Sequence, residues 1–398
     1  MILRKQFLQH VAQTSPSPML VEVERAEGSC FYTPEGKRYY DLVAGVSVSN
    51  VGHCNPAVVE AVQRQAARYM HVMVYGELVE SPQVRYAARI AAALPDPLES
   101  VYFVNSGAEA VEGALKLAKR YTGRSEMISF RRAYHGSTHG VMSMMGSPEG
   151  EEWKAAFRPL LPDVQSLVFN DFEELERITR RTACVLVEPV RGEAGIELPA
   201  EGFLQALRRR CDEVGALLIF DEIQTGFGRC GEMFACLKYG VMPDIICLAK
   251  ALGGGMPLGA FVSSGQIMST LSYNPTLGHI TTFGGHPVCC AAGLAAMEYI
   301  EKNDLHHASE AKGALFEELL RDHPAVREIR RSGLLMAVEL GSSERLYAIM
   351  ELFKQEGIMS DWFLFCDTAF RISPPLVITE DEIRECCRII VSCLDRLP

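Results

Sequence analysis

The stretch Ala216-Leu-Leu-Ile-Phe-Asp221-Glu-Ile-Gln224 closes an apolar run with a carboxylate, and Asp244-Ile-Ile-Cys-Leu-Ala-Lys250 closes a second one with an amine. Three glycines, Gly253 to Gly255, follow the lysine. Short, unbroken apolar runs between turn signals read as strands buried on both faces. A charge where such a strand stops faces the carboxyl edge of the sheet, where open α/β folds bind their ligands. Strand ends also carry charges that only cap helices or meet solvent, so neither residue decides the matter alone.

Working outward, further apolar runs of the same kind appear at Val101–Val104, Met127–Phe130, Ser166–Phe169, Cys184–Val187, Leu217–Phe220, Ile245–Leu248 and Gly259–Ser263. Helical patterns separate most of them. In the first, from Pro56, residues Val58, Val59, Val62, Ala66 and Tyr69 share a face. This alternation predicts an α/β fold with a mainly parallel seven-stranded sheet covered by helices on both faces. Residues 1–55 read as a loop-rich, strand-like N-terminal segment packing with a small domain, 56–286 as the large domain, and 287–398 as a smaller α+β C-terminal domain. In the last, Pro287–Ile300 reads as an apolar core helix, strands are expected near 334–340 and 369–372, and a final helix near 380–394.

The chain has 398 residues, 48% hydrophobic and 22% charged, with a net charge of −11. That balance fits a globular protein with a large core and argues against a nucleic-acid or anionic-membrane surface, which needs clustered positive charge. The 13 cysteines form no CxxC pair, and Cys184, Cys247, Cys289 and Cys290 sit inside apolar runs. They read as reduced, buried thiols of a cytoplasmic protein. Neither a signal peptide nor an apolar run long enough to span a membrane is apparent.

Several segments at the strand ends carry chemistry. Asn105-Ser-Gly-Ala-Glu-Ala110 opens a helix after the first strand, and its backbone N–H groups and helix dipole suit a phosphate. Tyr134-His135-Gly136 brings an aromatic ring to the same edge. His279-Ile-Thr-Thr282-Phe-Gly-Gly-His286 sets hydroxyls beside paired glycines, and Glu188-Pro-Val-Arg191-Gly-Glu193 follows the strand at 184–187. Arg371 lies in an apolar strand and needs a carboxylate partner, from the protein or from a substrate. An amine that can become a nucleophile and a carboxylate at one edge are the two polar contacts of a pyridoxal 5'-phosphate (PLP) ring: the first attaches it, and the second keeps its nitrogen protonated.

Together these residues resemble a class III PLP-dependent aminotransferase of fold type I, the group of the ornithine, acetylornithine and 4-aminobutyrate aminotransferases. The motifs that carry the likeness are Asn105 to Ala110, Asp221 to Arg229, Lys250 with its glycines, Thr282-Phe-Gly-Gly285, and Arg371 before Pro374-Pro375. The resemblance implies a homodimer with shared active sites that moves an amino group, a terminal one, from a small amino donor to 2-oxoglutarate or a similar oxo acid by a ping-pong mechanism. It implies Lys250 as the covalent anchor and proton carrier, Asp221 against the pyridine nitrogen, and Gln224 near the ring hydroxyl. Ser106, Gly107 and Ala108 would hold the phosphate with Thr282 of the partner subunit, and Tyr134 or His135 would stack on the ring. Glu193 and Arg371 resemble the family's switch pair, in which Arg371 takes a substrate α-carboxylate and Glu193 neutralises it in the other half-reaction. An acetylornithine- or ornithine-type enzyme, an aminomutase on the same scaffold, and a non-catalytic PLP-binding protein are the other readings.

One departure bears on the donor. Where that family follows the aromatic-His-Gly with arginine, this chain has Ser137. The donor's far end is therefore expected to be uncharged, unless Arg131, Arg132 or Arg191 replaces the missing cation. Val46, near where ornithine aminotransferases carry tyrosine, also points away from ornithine.

Overall fold

The computed structural model describes residues 2–74 and 76–397. A helix, Ile2–His10, precedes three short antiparallel strands, β1 (Arg25–Glu27), β2 (Cys30–Tyr32) and β3 (Arg38–Asp41). After helices Pro56–Arg68 and Ser81–Ala93 come the strands of the main sheet. These are β4 (Ser100–Val104), β5 (Glu126–Phe130), β6 (Val164–Leu167), β7 (Thr182–Val187), β8 (Leu217–Asp221), β9 (Ile245–Leu248) and β10 (Gly259–Ser263). Their order is β4-β10-β9-β8-β7-β5-β6. Pairing is parallel from β9 through β6, and β10 runs antiparallel to both of its neighbours.

The main sheet is buried on both sides. In β8, Leu218 and Phe220 enter the core on one face while Leu217 and Ile219 enter the core on the other. Polar chemistry is thereby driven to the strand ends. One strand differs from its sequence reading: β6 starts two residues earlier than the run at Ser166–Phe169. Its register sets Val164 beside Met127 and Leu167 beside Phe130, so β5 has no partner to offer beyond Leu167. Phe169 turns instead into an aromatic cluster, 5.6 Å from the Phe130 ring and 5.0 Å from that of Phe203.

The C-terminal unit holds β11 (Glu328–Ser332), β12 (Leu335–Glu339), β13 (Ile358–Met359), β14 (Trp362–Phe363) and β15 (Cys366–Ile372). Four of these form an antiparallel sheet, β11-β12-β15-β14, whereas β13 pairs in parallel with β3 and so ties the N-terminal strands to this unit. Helices Ser343–Glu356 and Glu380–Leu394 accompany the sheet, the second fixed at its start by a capping box of Thr379 and Glu382. Among the described residues no helix is long and apolar enough to cross a membrane.

Helix Pro287–Lys302, assigned from sequence to the C-terminal domain, packs on helices 56–68 and 81–93 and on the turn Lys250–Gly253. Its contact with the lysine-bearing turn is close: Tyr86 Oη donates to the Leu252 carbonyl at 2.6 Å, and a Cβ on Gly293 would come within 2.2 Å of that same oxygen. Gly293→Ala must therefore push the turn or the helix aside. We expect a loss of about 1–3 kcal/mol of stability, read as a lower urea midpoint.

Candidate active site

Each parallel strand delivers a polar residue to one edge. β4 ends at Val104, and helix Gly107–Thr122 begins there with Ser106 as its N-cap, the Oγ accepting from Glu109 N at 3.2 Å. A Cβ on Gly107 would lie 2.9 Å from Ile223 Cδ1, so a larger residue here would have to turn the Ile223 side chain aside. The turn forms one wall of a 440 Å³ cavity whose other walls include Tyr134, His135, Asp221, Gln224 and Lys250. An N-terminal helix turn, a carboxylate and an amine around one enclosed space match the phosphate, ring nitrogen and aldehyde carbon of PLP. The residues fit that group.

Asp221 ends β8 with its side chain almost wholly buried. His135 Nδ1 lies 2.7 Å from Asp221 Oδ2, and Ile223 N donates to Oδ1 at 3.1 Å. The imidazole thus carries its proton on Nδ1 when the carboxylate is ionised. Lys250, two residues past β9, adopts φ +50°, a left-handed conformation that lysine rarely takes. Burial lowers its pKa, while Glu193 and Asp221 pull it back up.

Glu188 follows β7 and is buried. Its carboxyl accepts from Tyr134 N at 3.3 Å and from Gly192 N at 2.9 Å, so it clamps the aromatic turn to the turn bearing Glu193. Burial pushes it up to about 7, with His135 lowering it and Asp221 adding to the rise.

Lys250, Tyr134 and Ser137 also line a second, larger cavity of 1650 Å³, which contains Glu193 and Arg371. Arg371, on β15, is 1% exposed. It donates from Nη2 to Glu193 Oε1 at 2.9 Å, from Nε to Asp361 Oδ1 at 2.8 Å and from Nη1 to Gln224 Oε1 at 3.2 Å. Gln224 Nε2 in turn donates to Glu193 Oε1 at 3.1 Å. Burial alone would raise the Glu193 carboxyl; Arg371 outweighs it and holds that carboxyl below the ordinary range. Asp361 is pushed up by burial despite Arg371, with Glu193 contributing to the rise.

Of the residues singled out from sequence, Ser106, Gly107, Ala108, Tyr134, His135, Asp221, Gln224 and Lys250 line the smaller cavity, and Glu193 and Arg371 meet in the larger one. Thr282 lines neither and is exposed. Its neighbour Thr281 accepts from Asn105 Nδ2 at 2.8 Å. The arginines named as substitutes at Ser137 do not reach either cavity. Arg132 and Arg191 share Glu197, Arg191 also donates to the Arg131 carbonyl, and its guanidinium lies 4.5 Å from the Phe169 ring centroid. The turn pairs Arg191 and Glu197 through their backbones, which directs that arginine away from the ligand side. Sequence reasoning missed Asp361, which belongs to no motif, and the clamp made by Glu188.

Comparison with known proteins gives a consistent result. Residues 11–394 match the family described as Aminotransferase class-III. The chain is 42% identical over 363 residues to the acetylornithine aminotransferase of Methanopyrus kandleri, covering 90% of each chain. It is 40% identical over 380 residues to the putrescine aminotransferase of Pectobacterium atrosepticum, covering 91% of this chain and 79% of that one. Among solved structures, the ornithine aminotransferase of Toxoplasma gondii superposes with a TM-score of 0.91 at 30% identity, over 99% of this chain and 94% of that one. That structure is described with partial occupancy of PLP at its active site.

Glu188 makes stability depend on pH. An acid whose folded value is raised from 4.5 to about 7 binds its proton more tightly in the folded state. Its contribution is therefore whole below about pH 4.5 and is lost as pH rises through about 7. Glu188→Gln should flatten the pH dependence of the urea midpoint across that window by up to about 1.4 kcal/mol per pH unit.

Proposed function

This chain belongs to the class III aminotransferases, and from that premise we propose that it moves a terminal amino group from a small amine to a 2-oxo acid by a ping-pong route. The observation that carries the reading is Lys250: an amine of lowered pKa, in a left-handed backbone conformation, on the shared wall of two cavities. PLP is the cofactor, and bound there it supplies the electron sink for the carbon that gives up a proton.

Lys250 would hold the cofactor and would carry the proton taken from the donor carbon. Asp221, held by His135, would set a negative charge against the cofactor's pyridine nitrogen. Because His135 is committed to Asp221, Tyr134 would be the residue that covers the ring face. Ser106, Gly107 and Ala108 offer backbone N–H groups to the phosphate. Gln224 lies on the cofactor cavity and also touches both Glu193 and Arg371, so it links cofactor and substrate sites. Glu193 neutralises Arg371 while the amine is bound and yields it to the α-carboxylate of the oxo acid.

The enzyme works as a homodimer in this reading, with Thr282 of the partner subunit completing the phosphate site. Exposed Thr282 and the exposed apolar side chains around it, Tyr273, Leu277, Ile280 and Phe283, support that arrangement. All 13 cysteines are free thiols, which supports a cytoplasmic location. Among the described residues Arg131, Arg132 and Arg191 line neither cavity, which supports a donor whose far end carries no negative charge.

Two tests address this reading. Borohydride reduction of the PLP-loaded enzyme, followed by peptide mapping, should fix the label on Lys250; label on another lysine refutes the anchor. In half-reactions followed by bleaching of the PLP band, simple terminal amines and putrescine should react with specificity constants about tenfold or more above N-acetylornithine, whose far carboxylate has no cation to meet. The reverse order would move the chain to the acetylornithine branch.

A further inference from the structure

Among the described residues, one group of three metal-ligating side chains stands together: Asp304, His306 and His307, whose ligand atoms all lie within 4.8 Å of one another. They stand at the start of helix Leu305–Leu320 and line neither cavity at Lys250. Asp304 is the N-cap of that helix, a position where aspartate ordinarily accepts from the first backbone N–H groups. Here its side chain makes no such bond. Oδ1 faces the imidazoles instead, 2.6 Å from His307 Nδ1 and 3.7 Å from His306 Nε2.

His306 and His307 are consecutive, and consecutive helix positions point about 100° apart. Side chains so placed do not ordinarily face each other. These two rings nevertheless converge, with centroids 4.0 Å apart and planes tilted by 40°. His306 Nδ1 is buried without a partner, so Nε2 is the nitrogen this ring can offer to a ligand. On the far side of the His307 ring, Glu232 Oε2 lies 3.6 Å from Nε2. A carboxylate behind one ring nitrogen, with the other nitrogen turned toward a shared point, is how metal-ligating histidines are oriented. Zinc bonds of about 2.0–2.1 Å set tetrahedral ligand atoms roughly 3.3 Å apart. That spacing falls between the two distances made by Asp304 Oδ1, and the Asp304 and His307 side chains are 67% and 55% exposed, so both can adjust to it.

We propose that Asp304, His306 and His307 form a site for a divalent transition metal of the zinc type, with Glu232 orienting His307 and water completing the coordination. Two imidazoles favour that class over Mg2+ and Ca2+, which take oxygen ligands. The ion fastens the start of the helix to the segment 228–232. The two already meet there: a Cβ on Gly228 would come within 3.0 Å of His306 Cα, and Ser309 Oγ donates to the Gly228 carbonyl at 2.8 Å.

The test is calorimetric titration of the untagged, PLP-loaded enzyme, dialysed free of excess cofactor, with zinc chloride. One equivalent per chain should bind with a Kd of about 10 μM or tighter; weaker binding overturns the proposal. Magnesium chloride should bind at least about tenfold more weakly than zinc, and equal affinity refutes the assigned metal class. Asp304→Asn and His307→Ala should each weaken zinc by about tenfold or more. His323→Ala, which removes a histidine paired with a single carboxylate, Asp395 at 3.1 Å, should leave the affinity unchanged. Affinity unaltered in both site variants means an adventitious ion only and overturns the proposal. Cobalt(II) in place of zinc should give the weak visible bands of nitrogen and oxygen ligation; the intense charge-transfer band of a thiolate would put the ion on one of the 13 cysteines and refute the site. Zinc should also raise the midpoint of thermal unfolding of the wild type but not of His307→Ala, and an equal rise in both removes the fastening role.

Discussion

Arg371 is 1% exposed and is held between two carboxylates, and it is where the two units of this protein are made to agree. Its carboxylate partners come from different places: Glu193 from the turn after β7 in the main sheet, and Asp361 from the segment between β13 and β14. Gln224, just past β8, joins both ends. Replacing a buried pair with apolar residues is often neutral, yet removing one partner leaves an uncompensated charge at a cost of about 3–5 kcal/mol. The array is therefore best understood as a constraint on position. While it is intact, the small sheet cannot shift against the large one without exposing a bare charge to the interior.

The same rule of burial arranges the rest of the site. Both faces of the main sheet are covered, so polar groups are admitted only where strands stop. Asp221 closes β8, Glu188, Lys250 and Ser106 follow β7, β9 and β4, and the two carboxylates are fixed by bonds that run sideways to different segments. His135 reaches Asp221 from the turn after β5, and Glu188 grips the backbone of Tyr134 and Gly192. Behind Lys250, Tyr86 and the flat face of Gly293 press on the Leu252 carbonyl. The cofactor site is thus a set of strand ends bolted to one another.

Asp221 and Lys250 were legible in the sequence because two buried strands that each stop at a charge must deliver those charges to a common sheet edge. Ser106 was legible because a small, hydroxylated turn before a helix has a defined hydrogen-bond geometry. What failed depended on pairing across distance. Asp361 lies ten positions before Arg371, but only the register of the small sheet and the turn between β13 and β14 bring their side chains together. Arg191 occupies a motif position beside Glu193 and yet points away, because Glu197 across the turn claims it. The apolar run through Val168 and Phe169 continues past the point where β5 can pair with it, and composition does not reveal where a neighbour ends. Thr281 and Thr282 are adjacent and chemically alike; only the bond from Asn105 tells them apart.

Lys250 takes φ +50°, for which an L-residue with a side chain forfeits roughly 1–2 kcal/mol. Folding does not need that conformation, since the sheet ends at Leu248 and three glycines able to absorb a sharp turn follow close behind. The bend is made at the lysine itself. The position proposed to anchor the cofactor is also one where the chain is less stable than it could be, a local sacrifice of the kind that separates a selected enzyme from an optimised scaffold.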